Sequence, residues 1–391
     1  AQRPETYVAQ IHDWKCTFLM EHHERAMDVV AVYFRFLRFS LGLYEGREFL
    51  SGEALKSFDW ESFFRFSQEQ TLTGIMFDGV QRLSKNFAPE QALLFRWIGQ
   101  SQALRKQNWT LNRATAYIYN KVTAEGYPCC ILKGQGNAVM YPDPHSRMPG
   151  DVDVWVDASR EDLRKLAAML VELGGTMGPE SLNHIELTLR GVPVELHSTP
   201  AIMHNPIHNR RLQAWLRDNV DRQCAHHVTL PDAAGEVAVP TNAFNVVYQL
   251  FHLYHHYFFE GVGLRQVVDY YYVVSNVDLS SFPALQRDLK HLGLSHFAGA
   301  MMYVLHEVLG LAPEKMFVSI DEQRGQLLLD EILTGGNFGK YAKTSFGVGF
   351  WGHNLQRISR DLRLLRNYPA EALSEPIFRV WHFFWRMKNT K

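Results

Sequence analysis

The chain has 391 residues, of which 46% are hydrophobic and 13% aromatic. That apolar mass supports a large core and excludes global disorder; at about 150 residues per domain it allows two or three lobes. Lys plus Arg (40) and Asp plus Glu (41) nearly cancel, leaving a net charge of -1, so the basic excess of a nucleic-acid-coating protein is absent. The four cysteines, two of them adjacent at Cys129 and Cys130, cannot build a disulfide framework and read as reduced thiols of a cytoplasmic protein. No apolar run reaches the ~18 residues of a membrane span. The most apolar stretch, Phe244 to Phe259, is broken by Gln249, His252, His255 and His256. The opening AQRPETYVAQ has no basic-then-apolar signal pattern.

Residues 1–126 read as helical: His22 to Leu43, Trp60 to Gln68 and Gln91 to Tyr119 place apolar residues at helical spacing, punctuated at Gly74 and Asn86–Pro89. The texture changes at Gly126. YPCCIL (127–132) is a short apolar strand, and the Gly/Pro-rich stretch 133–150 leaves room for one short helix around Gln135–Met140. DVDVWVD (151–157) alternates as a strand does. Ser159 can cap the next helix, with Glu161 and Asp162 in its first turn and Gly174–Gly175 at its end. NHIELTLR (183–190) alternates cleanly, and Gly191 turns the chain into VPVELH (192–197). Region 198–240 is ambiguous, with a hairpin suggested around Ala233–Gly235. From Thr241 the chain is helical again. The expected fold is α+β: a small mixed sheet with helices at 127–200, an N-terminal helical region (1–126), a connecting region (201–240) and a C-terminal helical region (241–391). A module so small needs helices to cover its sheet.

The sharpest chemical signal is Gly150-Asp151-Val152-Asp153-Val154-Trp155-Val156. Carboxylates at i and i+2 of a strand share one face, while Val152, Val154 and Val156 point into a core. Two like charges side by side cost free energy unless a cation neutralises them, and hard oxygen ligands suit Mg²⁺ or Mn²⁺. Glu195, in a later strand pattern, completes a three-carboxylate site if its strand lies beside that of Asp151. Such a site can hold two divalent ions about 3.5–4 Å apart around a triphosphate.

These residues resemble the DNA polymerase β-like nucleotidyltransferase superfamily. More narrowly, they resemble a widespread bacterial nucleotidyltransferase family with the signature LKG, then YP, then Arg, then GDxD. Here the signature is Leu132-Lys133-Gly134, Tyr141-Pro142, Arg147 and Gly150-Asp151-Val152-Asp153. The resemblance covers residues 127–200 strongly and the helical tail more weakly. It implies metal binding by Asp151, Asp153 and Glu195, with Glu195 also a candidate base. It implies close backbone approach of a triphosphate at Gly134, and positive charge from Lys133 and Arg147. The superfamily's usual Gly-Gly or Gly-Ser turn is here Gly134-Gln135, with Gly136 next, so Gln135 and Gly136 join the nucleotide-binding candidates. The substrate implied is an NTP, taken as ATP. Its acceptor is unidentified, a small molecule or protein being favoured over a long nucleic acid.

Each of the other candidates has a plainer reading beside the functional one. Lys133 is also what a solvated strand end looks like, and Arg147 what a salt bridge shaping the loop looks like. His197 shares the face of Glu195 and reads first as a hydrogen-bonding neighbour of the site. His252 and His256, at i and i+4, have zinc-like spacing with no completing ligand in view. Arg265 and Asp269 read either as an i, i+4 ion pair or as part of a helix covering the nucleotide, with Arg265 favoured over any one histidine. The leading expectation is a metal-dependent nucleotidyltransferase that releases pyrophosphate. The alternatives are a non-catalytic nucleotide-binding regulatory or toxin–antitoxin-type interaction protein, and a divalent-metal phosphohydrolase.

Overall fold

The protein is described here as a computed structural model, which covers residues 29–43, 58–337, 359–360 and 362–389. The histidine-rich stretch at 21–24, residues 22–28 of the first expected helix and Cys16 lie outside these. Cys129, Cys130 and Cys224 are free thiols.

Four helices lead in: α1 (29–40), α2 (Trp60–Glu69), α3 (Thr73–Gln81) and α4 (Gln91–Ala124). The α/β unit follows as β1 (Cys129–Leu132), α5 (Gly134–Ala138), β2 (Val152–Val156), α6 (Arg160–Glu172), β3 (Gly175–Glu180), β4 (His184–Leu189) and β5 (Val192–His197). Then come α7 (Pro206–Arg217), α8 (Val220–Cys224), and a two-stranded hairpin of β6 (His227–Leu230) and β7 (Gly235–Ala238). The chain continues through α9 (Asn242–Phe259), α10 (Leu264–Ser275), α11 (Phe282–Leu292), α12 (Ser295–Leu309), α13 (Glu322–Gly335) and α14 (Pro369–Asn389). The architecture is α+β. One continuous hydrophobic core runs from Tyr33 on α1 to Ala372 on α14.

The main sheet has five strands in the order β1-β2-β5-β4-β3. Its central pair, β2 and β5, is parallel, and the other pairs are antiparallel. Parallel pairing puts Asp153 beside Glu195. The β4–β5 hairpin turns through Arg190 and Gly191, both at positive φ (52° and 83°), as a tight two-residue hairpin turn requires. Val152, Val154, Val156, Val194, Leu196, Ile185 and Leu187 are buried on one face. There α6 covers the β3–β5 half with Leu163, Leu166, Ala167 and Leu170, a stripe at i, i+3, i+4 and i+7. Ser159 caps α6 by accepting from the Asp162 N–H at 3.1 Å. The polar face carries the acids and is overlaid in part by α9, whose Phe244 stacks on Trp155 with ring centres 5.7 Å apart.

The strand β3 was not expected. Gly174–Gly175 looked like the end of a helix, and Gly178 and Pro179 weaken any strand pattern. They are tolerated because β3 is an edge strand whose pairing shifts register between Met177 and Glu180. Gly74 does not break the chain either. It lies in the first turn of α3, where a Cβ would meet the Ser146 carbonyl oxygen at 2.3 Å. Its role is to let α3 approach the loop that carries Arg147.

Candidate active site

Three carboxylates converge at the start of β2 and the middle of β5. One oxygen from each of Asp151, Asp153 and Glu195 lies within 4.8 Å of the other two. Strand alternation brings Asp151 and Asp153 to one face, and the parallel register adds Glu195. A lysine and a histidine attend them. Lys133 Nζ lies 3.2 Å from Asp153 Oδ2. His197 Nε2 lies 3.0 Å from Asp153 Oδ1 and 3.2 Å from Glu195 Oε2.

The electrostatics divide the acids. Burial alone would raise the Asp153 pKa, but Lys133 and His197 override it and hold the group below the ordinary carboxylate range. Asp151 is pushed up, first by the charge of Asp153 and then by burial. Glu195 is held down against burial, chiefly by His197. Burial opposes charge on His197 and Lys133, yet the neighbouring carboxylates raise both. The donor set is thus all-oxygen, anionic and crowded, which fits a hard divalent cation. Lys133 is placed there at a conformational cost. Its backbone sits at φ 47°, a region costing about 1–3 kcal/mol for a residue with a side chain. Gly134, also at positive φ, follows it.

The carboxylates form the floor of a cleft of about 580 Å³, within the range of small-ligand sites. The helices α9, α10 and α14 supply the opposite wall. On it, Arg147 and Asp269 form a two-pronged ion pair, with Nε and Nη2 each 2.8 Å from a carboxylate oxygen. Tyr141 donates to the same carboxylate at 2.6 Å. Arg147 is only 2% exposed, and Asn108 on α4 fixes its loop by donating to the carbonyls of His145 and Arg147. Asp269 is therefore paired with Arg147 and not with Arg265 as its i, i+4 spacing suggested. Arg265 lines the cleft with a buried Nε that has no hydrogen-bond partner. Burial and the charge of Arg147 lower its pKa.

His252 bridges the two walls, 3.4 Å from Lys133 Nζ and 2.8 Å from His256 Nε2. His256 in turn meets Glu260 at 2.9 Å. Burial, then Lys133, keeps His252 well below the ordinary imidazole pKa. Among the described residues this histidine pair gathers no metal-ligand set. Deeper along the wall, His204 stacks on Phe378 (4.1 Å, 11°) and packs on Phe259.

Of the candidates named from sequence, Lys133, Gly134, Arg147, Asp151, Asp153, Glu195 and Arg265 all line this cleft, whereas Gln135 and Gly136 do not. Gln135 is buried and donates to Asn112 on α4. At Gly136 a Cβ would meet the Ile131 carbonyl oxygen and Val239, each at 3.1 Å. Sequence reasoning missed His184 and Glu186. Their signal was the two-residue turn at Arg190–Gly191, which sets Glu186 opposite Glu195 and His184 opposite His197.

The mixed sheet thus presents three acids on two parallel neighbours, facing a helical wall across an open cleft. Residues 56–310 match an uncharacterised nucleotidyltransferase family, and the chain belongs to it. No curated protein matches the chain. A similar solved structure is that of an antigenic nucleotidyltransferase-like protein from Paracoccidioides brasiliensis. It is 14% identical over 55% of this chain and 96% of the other, with a TM-score of 0.33. No described helix is long and apolar enough to cross a membrane.

Proposed function

We propose that the protein is a metal-dependent nucleotidyltransferase. It takes an NTP, ATP being the expected one, with Mg²⁺ or Mn²⁺, and transfers the nucleoside monophosphate to a hydroxyl or phosphate acceptor. The observation that carries this reading is the meeting of Asp151, Asp153 and Glu195 on the floor of an open cleft. Asp151, Asp153 and Glu195 would hold the divalent ions, which when bound offset the charge of the triphosphate. Lys133 and Arg265 present positive charge to its oxygens. Arg147 acts through Asp269, fixing α10 and so the position of Arg265. Glu195, the more open acid beside buried Asp153, accepts the proton of the acceptor hydroxyl. The acceptor oxygen bonds to the α-phosphorus, the bridge to the β-phosphate breaks, and pyrophosphate leaves. The chain's contribution is position and electrostatics.

The balanced net charge favours a small-molecule or protein acceptor. An intact carboxylate set favours chemistry over the non-catalytic, regulatory reading. The test uses NTPs labelled at the α-phosphate with Mg²⁺ or Mn²⁺. The wild type transfers label and releases pyrophosphate, and Asp151→Asn does neither. Equal turnover in both refutes the proposal, and release of orthophosphate to water points to a phosphohydrolase instead.

A further inference from the structure

The carboxylate centre leaves one imidazole unexplained. His184, on β4, lies opposite His197 on β5, with ring centres 5.1 Å apart. Its Nε2 faces Glu186 Oε1 at 3.4 Å. A carboxylate there takes the Nε2–H and leaves the lone pair on Nδ1, the way ligating histidines are held by an outer acid. That Nδ1 is buried and has no hydrogen-bond partner. It points at Glu195 Oε2 from 3.9 Å, too far for a hydrogen bond and suited to two ligands of one ion. His197 Nε2 reaches the same oxygen at 3.2 Å. One ligand atom from each of His184, Glu195 and His197 lies within 4.8 Å of the others.

Two imidazoles and one carboxylate, with an open side toward the cleft, form the donor set of a borderline transition metal; Mg²⁺ asks for oxygen alone. We propose that His184, Glu195 and His197 form a second cation position, sharing Glu195 with the Asp151–Asp153 position, and that it takes a first-row divalent transition-metal ion in preference to Mg²⁺. It rests on the nucleotidyltransferase reading only through the shared Glu195. On binding, the proton that His197 Nε2 donates to Asp153 and Glu195 leaves to solvent, and that nitrogen's lone pair goes to the ion.

The test is pulsed electron paramagnetic resonance of Mn²⁺ on the full chain, with Co²⁺ titration followed by its visible absorption. The wild type shows ¹⁴N coupling from directly bound imidazole, which becomes ¹⁵N coupling when only histidine is ¹⁵N-labelled. His184→Gln weakens Co²⁺ binding by at least tenfold, and Glu186→Gln by about tenfold, as an outer partner does. Mn²⁺ bound through oxygen alone overturns the inference, whether or not the variants fold. If that result accompanies label transfer that Asp151→Asn abolishes, the nucleotidyltransferase reading stands without this site. If ¹⁴N coupling persists in a protein that binds no NTP, the second position stands and the reading falls.

Discussion

The sheet wall of the cleft carries Asp151, Asp153 and Glu195, while the helix wall carries Arg265, Asp269 with its loop partner Arg147, and the depressed histidines His252 and His255, with His204 from the loop before α7 against them. The sheet wall is positioned by backbone hydrogen bonds, so each acid is held by register whatever its side chain. The helix wall is positioned by apolar packing in the core and by buried side-chain pairs across long chain separations, so losing one charged partner of such a pair costs stability.

The largest expected effect falls on the sheet wall. Asp151→Asn should cut nucleotidyl transfer by roughly 10³-fold or more, the scale of losing an electrostatic contact made to the transition state. The same change should not destabilise the fold. Asp151 has its pKa raised by Asp153, so the folded chain resists ionising it, and stability declines as pH rises from the ordinary aspartate range through the raised value. At neutral pH the variant should gain on the order of 1 kcal/mol in denaturant unfolding. A large loss of stability would break the contrast between the walls.

On the helix wall the order reverses. Asp269→Asn strands the buried Arg147 guanidinium and should cost about 3–5 kcal/mol, read as a lowered Tm. Its effect on turnover should follow the unfolding. Arg265→Gln sharpens the comparison, because Arg265 touches no structural partner through Nε. It should raise KM for the NTP by roughly 10–100-fold, the worth of one charge-assisted hydrogen bond, with kcat nearly unchanged.

The smallest effect at neutral pH, which grows only in acid, concerns the buried histidines. Burial lowers the His204 pKa to about 3 and the His255 pKa to about 4, from an ordinary 6.5. Above pH 6.5 neither the folded nor the unfolded chain protonates them. Below it the unfolded chain binds protons that the folded one refuses, so stability declines until the folded values are reached. His255→Gln should remove one proton from that slope, about 1.4 kcal/mol per pH unit, in acid titrations monitored by circular dichroism.

The sheet wall was legible in the sequence because a period of two leaves no freedom. Once DVDVWVD is a strand, Asp151 and Asp153 share a face, and one parallel neighbour brings in Glu195. Even the miss at His184 was recoverable from the length of the Arg190–Gly191 turn. The helix wall was not legible. A helical period says which residues share a face and nothing about which distant residue that face meets. Asp269 therefore looked like a partner of Arg265, four residues away, when its partner is Arg147, 122 positions distant. Gln135 and Gly136 lie apart from the cleft for a related reason. Adjacency to Gly134 in sequence does not carry over to the cleft, because α5 turns Gln135 toward α4.

The most direct measurement is anomalous diffraction from a crystal grown with Mn²⁺ and a non-hydrolysable NTP. A manganese peak bonded to Asp151, Asp153 and Glu195, with the triphosphate reaching toward Lys133 and Arg265, is the result this account predicts. Nucleotide bound away from those acids, with no manganese on them, would contradict it.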